Sequence, residues 1–376
     1  MKALILVGGF GTRLRPLTLS APKPVVPFAN KEIVLHQIEA LVKAGIDEVV
    51  LAVNYQPEKM MEAFPTSPTW VGGKLQLGIR ISTSLEEEPL GTAGPLKLAE
   101  SILGSDGEPF IVLNSDVICT FPFEELIAFH KAHGKEGTIM VTKVEEPSKY
   151  GVVVSDGDGK IERFVEKPQV YVGNRINAGI YIFNPAILER IPLAPTSIEK
   201  KIFPVMADEG QLYCMDLPAF WMDIGQPPDY LKGMVMYLSA LASGDVSGEG
   251  PSGATFVGSL VEGDNFIGPV FMHPDAVVDE TALVGPNVVI GPGCSIGAGA
   301  RVQRTTLLAG AKVKAHAWVK SSIIGWNSTV GRWARLQNIS VLGEDVKITD
   351  ELYINGARIL PHKTIKDDIP TPSIVM

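Results

Sequence analysis

The spacing of apolar residues changes once along this chain, close to residue 240. Before that point, short apolar runs alternate with segments in which apolar residues recur every three or four positions, as Ile33, Val34, Ile38, Leu41 and Val42 do. The runs are typical of buried strands, and the spaced residues are typical of helices that bury one face. Their alternation predicts an α/β domain whose mixed sheet is mostly parallel and is covered by helices.

Individual elements follow from this pattern. The predicted strands are 3–7, 48–53, 110–113, 138–143 and 180–183, and the predicted helices are 31–44 (with Asn30 as its N-cap), 95–103 and 123–133. In parallel sheets, ligands bind where the strands end at their carboxyl termini. Gly8 and Asp116 both follow such an end, so we expect them to lie in one crevice.

Beyond residue 265 the apolar positions recur about every six residues. The series is Val278, Val284, Ile290, Ile296, Val302, Leu308, Val313, Val319, Ile324, Val330, Leu336, Leu342 and Ile348, with five-residue steps after Leu308 and Val319. A small or β-branched residue often follows four positions later, as at Cys294, Ala300, Thr306 and Ala317. This period predicts a left-handed parallel β-helix with inward-pointing aliphatics and about four coils of three hexads each.

The change of pattern also predicts the domain organisation. Residues 243–253 are rich in Gly and Ser, which is typical of a linker. We therefore predict a first domain over 1–240, a linker over 241–265 and the β-helix over 266–376. A stack of coils cannot close its own ends, so we expect the β-helix to mediate assembly into a homo-oligomer.

Composition narrows the class of protein. The net charge of −9 and the pI of about 5.3 argue against general nucleic-acid binding. The three cysteines are scattered and odd in number, which favours a reducing compartment such as the cytoplasm. No apolar run approaches the roughly 18 residues that span a bilayer, and the N-terminal run is interpreted as a strand rather than a secretory signal.

The loop after the first strand carries the strongest chemical signal. Gly8, Gly9 and Gly11 can turn backbone N–H groups towards an anion, and Arg13 and Lys23 add positive charge. No carboxylate occurs before residue 32, which favours binding of a polyphosphate. The loop is neither a dinucleotide fingerprint, since position 14 is leucine, nor a P-loop, since no Gly-Lys-Ser/Thr follows.

Two aspartates are candidate metal ligands. Asp116 follows a predicted strand, and Asp223 lies in the segment Trp221-Met222-Asp223-Ile224-Gly225. Two carboxylates together with phosphate oxygens are a usual ligand set for Mg²⁺. An aspartate taken alone is more often a helix cap or a turn residue than a metal ligand, and that alternative stays open here.

Three further segments have two readings each. Lys167 projects from a point that Pro168 fixes, but with Glu166 it is also an ordinary surface pair. Asn177 is a candidate for binding sugar hydroxyls or for shaping a turn. The small residues around Gly91 and Thr92 permit close approach of a base or ribose, or simply lead into a helix. The acidic run at 86–88 is interpreted as a solvated face.

Taken together, these motifs resemble those of the sugar-1-phosphate nucleotidyltransferases. In that family G-G-x-G-T-R-L, K-P, a strand-end Asp, E-K-P, N-x-G and W-x-D-x-G occur in this order. Here they are Gly8–Leu14, Lys23-Pro24, Asp116, Glu166–Pro168, Asn177–Gly179 and Trp221–Gly225. The likeness continues through the hexads to Met376.

The resemblance implies a Rossmann-like nucleotidyltransferase domain followed by a β-helix, and an enzyme that uses Mg²⁺. It implies transfer of GMP from GTP to mannose 1-phosphate, with Arg13, Lys23 and Lys167 as the catalytic cations. The implied nucleotide-binding residues are Leu6, Gly8, Gly9, Gly11, Thr12, Arg13, Lys23, Gly91, Thr92, Asn114 and Asp116. The implied sugar-phosphate residues are Gly151, Glu166, Lys167, Asn177 and Asp223, and the implied metal ligands are Asp116 and Asp223.

Three alternatives remain at this point. The substrate pair could be glucose 1-phosphate with another nucleoside triphosphate. The chain could be a non-catalytic regulatory subunit that senses GDP-mannose, or could pair with such a paralogue. Acyl transfer by the β-helix would need a histidine base, and His316 is the histidine inside the repeats, with no obvious partner in the sequence.

Overall fold

The computed structural model describes residues 1–9, 11–53, 70–71, 74–75, 78–246 and 257–376. These residues divide into two units, and the chain passes between the units more than once. The first unit holds residues 1–9 and 37–221, and the second holds 11–36, 222–246 and 257–376. The predicted linker falls partly outside the described residues, and the predicted domain boundaries stay predictions.

The first unit is built on a mixed sheet, in which some neighbouring strands are parallel and others are antiparallel. From one edge to the other, the order is Ile161–Glu166, Gly151–Ser155, Arg175–Phe183, Phe110–Asn114, Lys2–Leu6, Glu48–Val53 and Arg80–Leu85. Gly137–Lys143 pairs antiparallel with Arg175–Phe183, and Leu212–Asp216 pairs parallel with Gly137–Lys143. The last four strands of the order run parallel. Three of them are mostly apolar because both of their faces are buried, whereas Arg80–Leu85 at the edge is largely polar and exposed.

The predicted strands of this sheet are confirmed to within a residue at most ends. The main difference is at 180–183, which forms only the carboxyl half of Arg175–Phe183. Shorter strands are Pro27–Phe28, Lys31–Glu32, Trp70–Val71, Lys74–Leu75, Val117–Cys119 and Trp221–Asp223.

The helices are mostly short. They are Leu17–Ser20, Ile33–Lys43, Gly94–Leu98, Glu100–Leu103, Phe123–His133, Ile187–Arg190, Ile198–Ile202, Phe203–Asp208 and Pro227–Ser243, with single 3₁₀ turns at Thr12–Leu14, Lys23–Val25 and Pro147–Lys149. In the described part of the chain, no helix has the length and the apolar character that crossing a bilayer requires.

Two predicted helix boundaries are wrong. The helix predicted from 31 begins at Ile33, because Lys31–Glu32 pairs with Pro27–Phe28 in a small hairpin. Asn30 is therefore not its cap: Asn30 has a left-handed backbone (φ 63°), and its Nδ2 donates to the carbonyls of Val257 (3.1 Å) and Ile290 (2.9 Å). The helix predicted over 95–103 is interrupted at Ala99, whose ψ of 10° leaves the helical range.

The second unit contains the predicted β-helix, whose stacked coils form three sheets, one on each face. One is Val270–Met272, Val288–Ile290, Thr305–Leu307, Ser322–Ile324, Ser340–Leu342, Arg358–Ile359 and Ile374–Val375, with Ser259–Leu260 antiparallel at its start. Another is Val277–Val278, Ser295–Ile296, Lys312–Val313, Thr329–Val330, Lys347–Ile348 and Thr364–Ile365. The third is Leu283–Val284, Arg301–Gln303, Trp318–Lys320, Arg335–Gln337 and Tyr353–Asn355.

The register corrects two details of the hexad interpretation. Leu307, not Leu308, pairs with Ile290 and Ile324 and joins the inner core, so the five-residue step falls before this position. Thr305 then takes the small inner position that was expected for Thr306, and the Thr306 hydroxyl instead lies 3.0 Å from the Met234 sulfur. Within residues 257–376 the third sheet has five rungs rather than the four coils expected.

A buried histidine in the second unit makes the stability of the fold depend on pH. His36 packs edge-on against Phe28 and Tyr237, and its Nε2 lies 2.8 Å from the Phe28 carbonyl, to which the neutral ring can donate. Burial, with the nearby Lys31 charge, lowers the pKa of His36 to about 3. The native protein therefore rejects a proton that the unfolded chain binds below its ordinary pKa of about 6.5.

We predict that the free energy of unfolding decreases as the pH is lowered from about 6.5 to about 3. This residue alone accounts for a decrease of about 1.4 kcal/mol per pH unit. His36→Gln keeps an N–H donor for the Phe28 carbonyl but cannot be protonated. Urea unfolding of both proteins at several pH values measures the difference. Parallel pH profiles for the two proteins would contradict the assignment.

Candidate active site

Two neighbouring strand ends of the first unit lie side by side. Leu6 pairs with Asn114 in the parallel ladder, and the N–H of Ser115 donates to the Leu6 carbonyl (3.3 Å). Gly8 and Asp116 therefore leave the sheet at adjacent positions on its carboxyl edge, and a crevice that both line stays a prediction.

The loop after Asn114 is fixed from beneath by a buried amide. Gln37 has no exposed surface, and its Nε2 donates to the carbonyls of Asn114 (2.8 Å) and Val117 (3.1 Å). The Asn114 side chain lies against Gly179, where an added Cβ would be 2.7 Å from Nδ2. With its φ of +74°, Gly179 is a position that only glycine occupies without strain.

The side chain of Asn177 shapes the turn that leads to Gly179. Its Oδ1 accepts the Gly179 N–H (2.8 Å), and its Nδ2 donates to the Tyr181 hydroxyl (2.9 Å). Burial raises the pKa of Tyr181 well above its usual range, so this hydroxyl stays neutral. The turn role is thus present, and the amide still has one N–H and one lone pair with which it can meet a ligand.

The Glu166-Lys167 pair lies at the end of an antiparallel strand pair. The Lys167 Nζ is 3.3 Å from the Glu166 Oε1, and the lysine side chain is 63% exposed while the glutamate is 15% exposed. Lys167 has a φ of +48°, which sets where its side chain projects. Gly151 pairs with Glu166, and a Cβ there would be 2.9 Å from Glu166 Oε2, so this glycine leaves room for the carboxylate.

The Gly91-Thr92 loop is held by a segment far away in sequence. Gly91 bridges to Thr196, and the Thr92 hydroxyl donates to Glu199 Oε2 (2.7 Å) while accepting the Ile198 N–H (2.9 Å). The Ser197 hydroxyl donates to the same carboxylate oxygen (2.7 Å). Glu199 thus orders the loop.

Sequence reasoning missed these supporting groups. No sequence motif assigns a role to Glu199, and only its contact with Thr92 identifies it. The interpretation of 86–88 as a solvated face is wrong for Glu86, which is 5% exposed and accepts the Leu90 N–H (2.9 Å). Burial raises the pKa of the Glu86 carboxyl, and the turn it anchors leads into the Gly91 loop.

The second unit brings together three of the predicted charged residues. A Cβ placed on Gly225 would be 2.8 Å from Asp223 Oδ1, 3.1 Å from Lys23 Nζ and 3.3 Å from Arg13 Nη2. The Gly225 N–H also donates to Asp223 Oδ1 (2.9 Å). Two cations and a carboxylate from segments about 200 residues apart therefore surround one glycine, which we call the Gly225 cluster.

The loop that carries Arg13 has a defined conformation. Gly11 has a left-handed backbone (φ +58°), and its carbonyl accepts the Leu14 N–H (3.0 Å) and the Thr18 hydroxyl (2.7 Å). Thr12 and Arg13 are exposed in the 3₁₀ turn that follows. The predicted site residues thus fall into two groups: Gly11, Thr12, Arg13, Lys23 and Asp223 in the second unit, and the others in the first.

Each of the two candidate aspartates carries the hard oxygen donors that divalent cations take. Within the described residues, no set of three or more His, Cys, Asp or Glu side chains is arranged to hold a metal. Asp116 and Asp223 are each half-buried carboxylates. Asp116 belongs to the first unit and Asp223 to the second, and a half-buried carboxylate in either place suits a hard divalent cation.

Comparison with known proteins places these features in a family. Residues 2–240 match the family described as Nucleotidyl transferase, and residues 266–375 match the one described as GMPPB C-terminal domain. A mannose-1-phosphate guanylyltransferase catalytic subunit beta from Danio rerio is 58% identical over 377 residues, covering 100% of both chains. The Dictyostelium discoideum protein of the same name is 60% identical with the same coverage.

A solved structure supports the fold. A Bacillus anthracis protein, provisionally assigned as a glucose-1-phosphate thymidylyltransferase and solved with sucrose, superposes with a TM-score of 0.55 at 20% identity. It covers 62% of this chain and 93% of its own. On the full-length relatives and both matched families, the chain belongs to the nucleotidyl transferase family and, within it, to the mannose-1-phosphate guanylyltransferases.

Proposed function

We propose that this chain transfers GMP from GTP to mannose 1-phosphate and releases GDP-mannose and pyrophosphate. Full-length relatives that are named for this activity support the choice of substrates. The observation that carries the proposal is the Gly225 cluster, which places Arg13 and Lys23 beside Asp223. Such a grouping of cations suits a substrate that develops negative charge as it reacts.

The chemistry requires positioning and charge stabilisation rather than a protein nucleophile. An oxygen of the sugar phosphate attacks the α-phosphorus of the nucleotide, and the bond to the β-phosphate oxygen breaks. The electron pair of that bond leaves with pyrophosphate. In our proposal Arg13 and Lys23 stabilise this developing charge, and Lys167 holds the phosphate of the attacking sugar.

Members of the family use a divalent metal. We propose Mg²⁺, held by Asp116 and Asp223, since both are hard oxygen ligands. When bound, the cation neutralises phosphate charge and polarises the phosphoryl oxygens.

The remaining residues position the substrates. Asn114 and the backbone of Leu6, Gly8, Gly9, Gly11 and Thr12 would line the triphosphate, and Gly91 and Thr92 would contact the base or ribose. Glu166, Asn177 and Gly151 would contact the sugar hydroxyls. The exposed Lys167 head group and the hydrogen-bonding capacity left on Asn177 support this placement.

We also propose that the protein is cytoplasmic and assembles through its β-helix. The three buried cysteines are unpaired, in keeping with a reducing compartment. A paralogous regulatory subunit is a further candidate partner, since the name "catalytic subunit" of the relatives implies another subunit.

A substrate matrix tests the function directly. We expect the purified chain, without any partner, to release pyrophosphate fastest with GTP and mannose 1-phosphate in the presence of Mg²⁺. Faster release with glucose 1-phosphate and UTP, ATP or dTTP would show that the enzyme acts on another class of substrates. Release of no pyrophosphate by the purified chain would instead favour a regulatory role.

Removing one cation from the Gly225 cluster should slow the chemical step. We predict that Arg13→Gln or Lys23→Gln lowers kcat by about 10²–10³-fold, the usual effect of losing one group that stabilises transition-state charge. Arg15→Gln is the matched control, because Arg15 is an exposed arginine of the same loop. Equal rates for the Arg13 and Arg15 variants would remove the cluster from the mechanism.

The metal ligands have their own test. We predict that Asp116→Ala loses most turnover at saturating Mg²⁺, because one of the two carboxylates is gone. Asp106→Ala, an exposed aspartate in an ion pair with Lys2, serves as the control. Near-normal turnover of the Asp116 variant would show that this residue is not a metal ligand.

A further inference from the structure

One corner of the β-helix carries a residue that its backbone does not favour. Trp333 has a φ of +60°, and its side chain is 63% exposed. The equivalent positions of the neighbouring coils hold Gly299, His316 and Glu351, and all three also have a positive φ, so the left-handed backbone is a property of this corner of the coil. An exposed indole at this corner offers a ring face on which a planar ligand can stack.

The neighbouring sheet presents cations and aromatic rings in an unbroken column. In the parallel register, Arg301 pairs with Trp318, Trp318 with Arg335, and Arg335 with Tyr353. The Arg335 guanidinium carbon is 4.2 Å from the centroid of the Trp318 ring and 5.6 Å from that of Tyr353. Cation–π contacts of this kind hold the guanidinium in place.

The side chains of this face are poor in negative charge. In the four three-residue strands of this sheet, the first and third residues point away from the core. They are Arg301, Gln303, Trp318, Lys320, Arg335, Gln337, Tyr353 and Asn355. This face thus has three cations and no carboxylate, on a chain whose net charge is −9. The salt bridges within residues 257–376 involve other side chains, such as Arg332 with Asp350 and Lys347 with Asp345.

Between the corner and the column lies a cleft of about 590 Å³. Trp318 and Trp333 line it with Arg301, Arg335 and His316. The His316 ring stacks on Trp333 at 4.3 Å and 22°, which supports the indole from one side. The volume is in the range of small-molecule sites, which run from roughly 300 to 1,000 Å³.

We propose that this cleft binds a nucleoside di- or triphosphate. The base would stack on the indole of Trp333, and the phosphates would meet the guanidinium groups of Arg301 and Arg335. Stacking on exposed aromatic rings together with arginine contacts is a general way of holding nucleotides.

The site is separate from the residues assigned to catalysis. If the proposed function holds, guanine nucleotides are at hand as substrate and product, and GDP is the natural probe. The fraction of clefts that hold a nucleotide would then depend on the concentration of guanine nucleotides, and the β-helix would sense that concentration. The test below measures binding alone, so it holds whether or not the catalytic assignment does.

The test is equilibrium dialysis of the full chain with labelled GDP, counting the nucleotides bound per chain at saturation. We expect the double variant Trp333→Gly with Arg335→Gln to bind one nucleotide fewer than the wild type. Arg332→Gln, a neighbouring exposed arginine outside the cleft, should bind as the wild type does. Equal stoichiometry in all three proteins overturns the proposal, whatever the turnover of each.

The single variant Trp333→Gly separates binding from folding. Glycine accepts the positive φ, so its melting temperature should not fall. Loss of the stacking ring should weaken binding at this site by about 10- to 100-fold. A lower melting temperature with unchanged affinity would mean that Trp333 serves stability.

Two other occupants give different results in the same experiments. A double variant that keeps its nucleotide stoichiometry but changes its oligomeric mass would make the cleft a contact between subunits. Binding of single-stranded RNA without binding of GDP or GTP would make it a nucleic-acid site. Either result contradicts the proposal.

Discussion

The chemistry of this protein depends on polar side chains that pack directly against glycines, where any other residue would exclude them. Where Arg13, Lys23 and Asp223 meet, they do so around a residue with no side chain of its own, and a methyl group at Gly225 would occupy the same space. Like charges brought together in this way repel unless a carboxylate or an anionic ligand lies between them. At Gly225 the Asp223 carboxylate lies beside both cations and offsets their repulsion.

The same constraint explains the arrangement of the first unit. Asn114 can lie beside the turn at 177–179 because Gly179 has no Cβ to exclude it. Asn177 holds this turn, and the neutral hydroxyl of Tyr181 fixes the amide of Asn177. Buried polar groups that satisfy one another in this way give the exposed ends of the strands a fixed geometry, which a transfer reaction needs.

The sequence predicted the classes of structure well because they depend on periodicity. Apolar runs identified the parallel strands, and the six-residue period identified the β-helix. Periodicity cannot place a single missing residue, however, since Leu307 and Leu308 are both apolar and only strand pairing distinguishes them. The contacts of Glu86, Glu199 and Tyr181 with the site segments were likewise hidden, because each depends on residues that meet only after folding.

Some coils of the β-helix are one residue shorter than others, and the missing residue is always at the same edge of the coil. The step into the first sheet is five residues at Val302 to Leu307, Val319 to Ile324 and Ile354 to Ile359, and six at Val284 to Ile290 and Leu336 to Leu342. The other two edges keep their spacing, so every strand still presents the same face to the interior. A one-residue deletion at this edge is thus compatible with the β-helix, because three of its five steps already lack that residue.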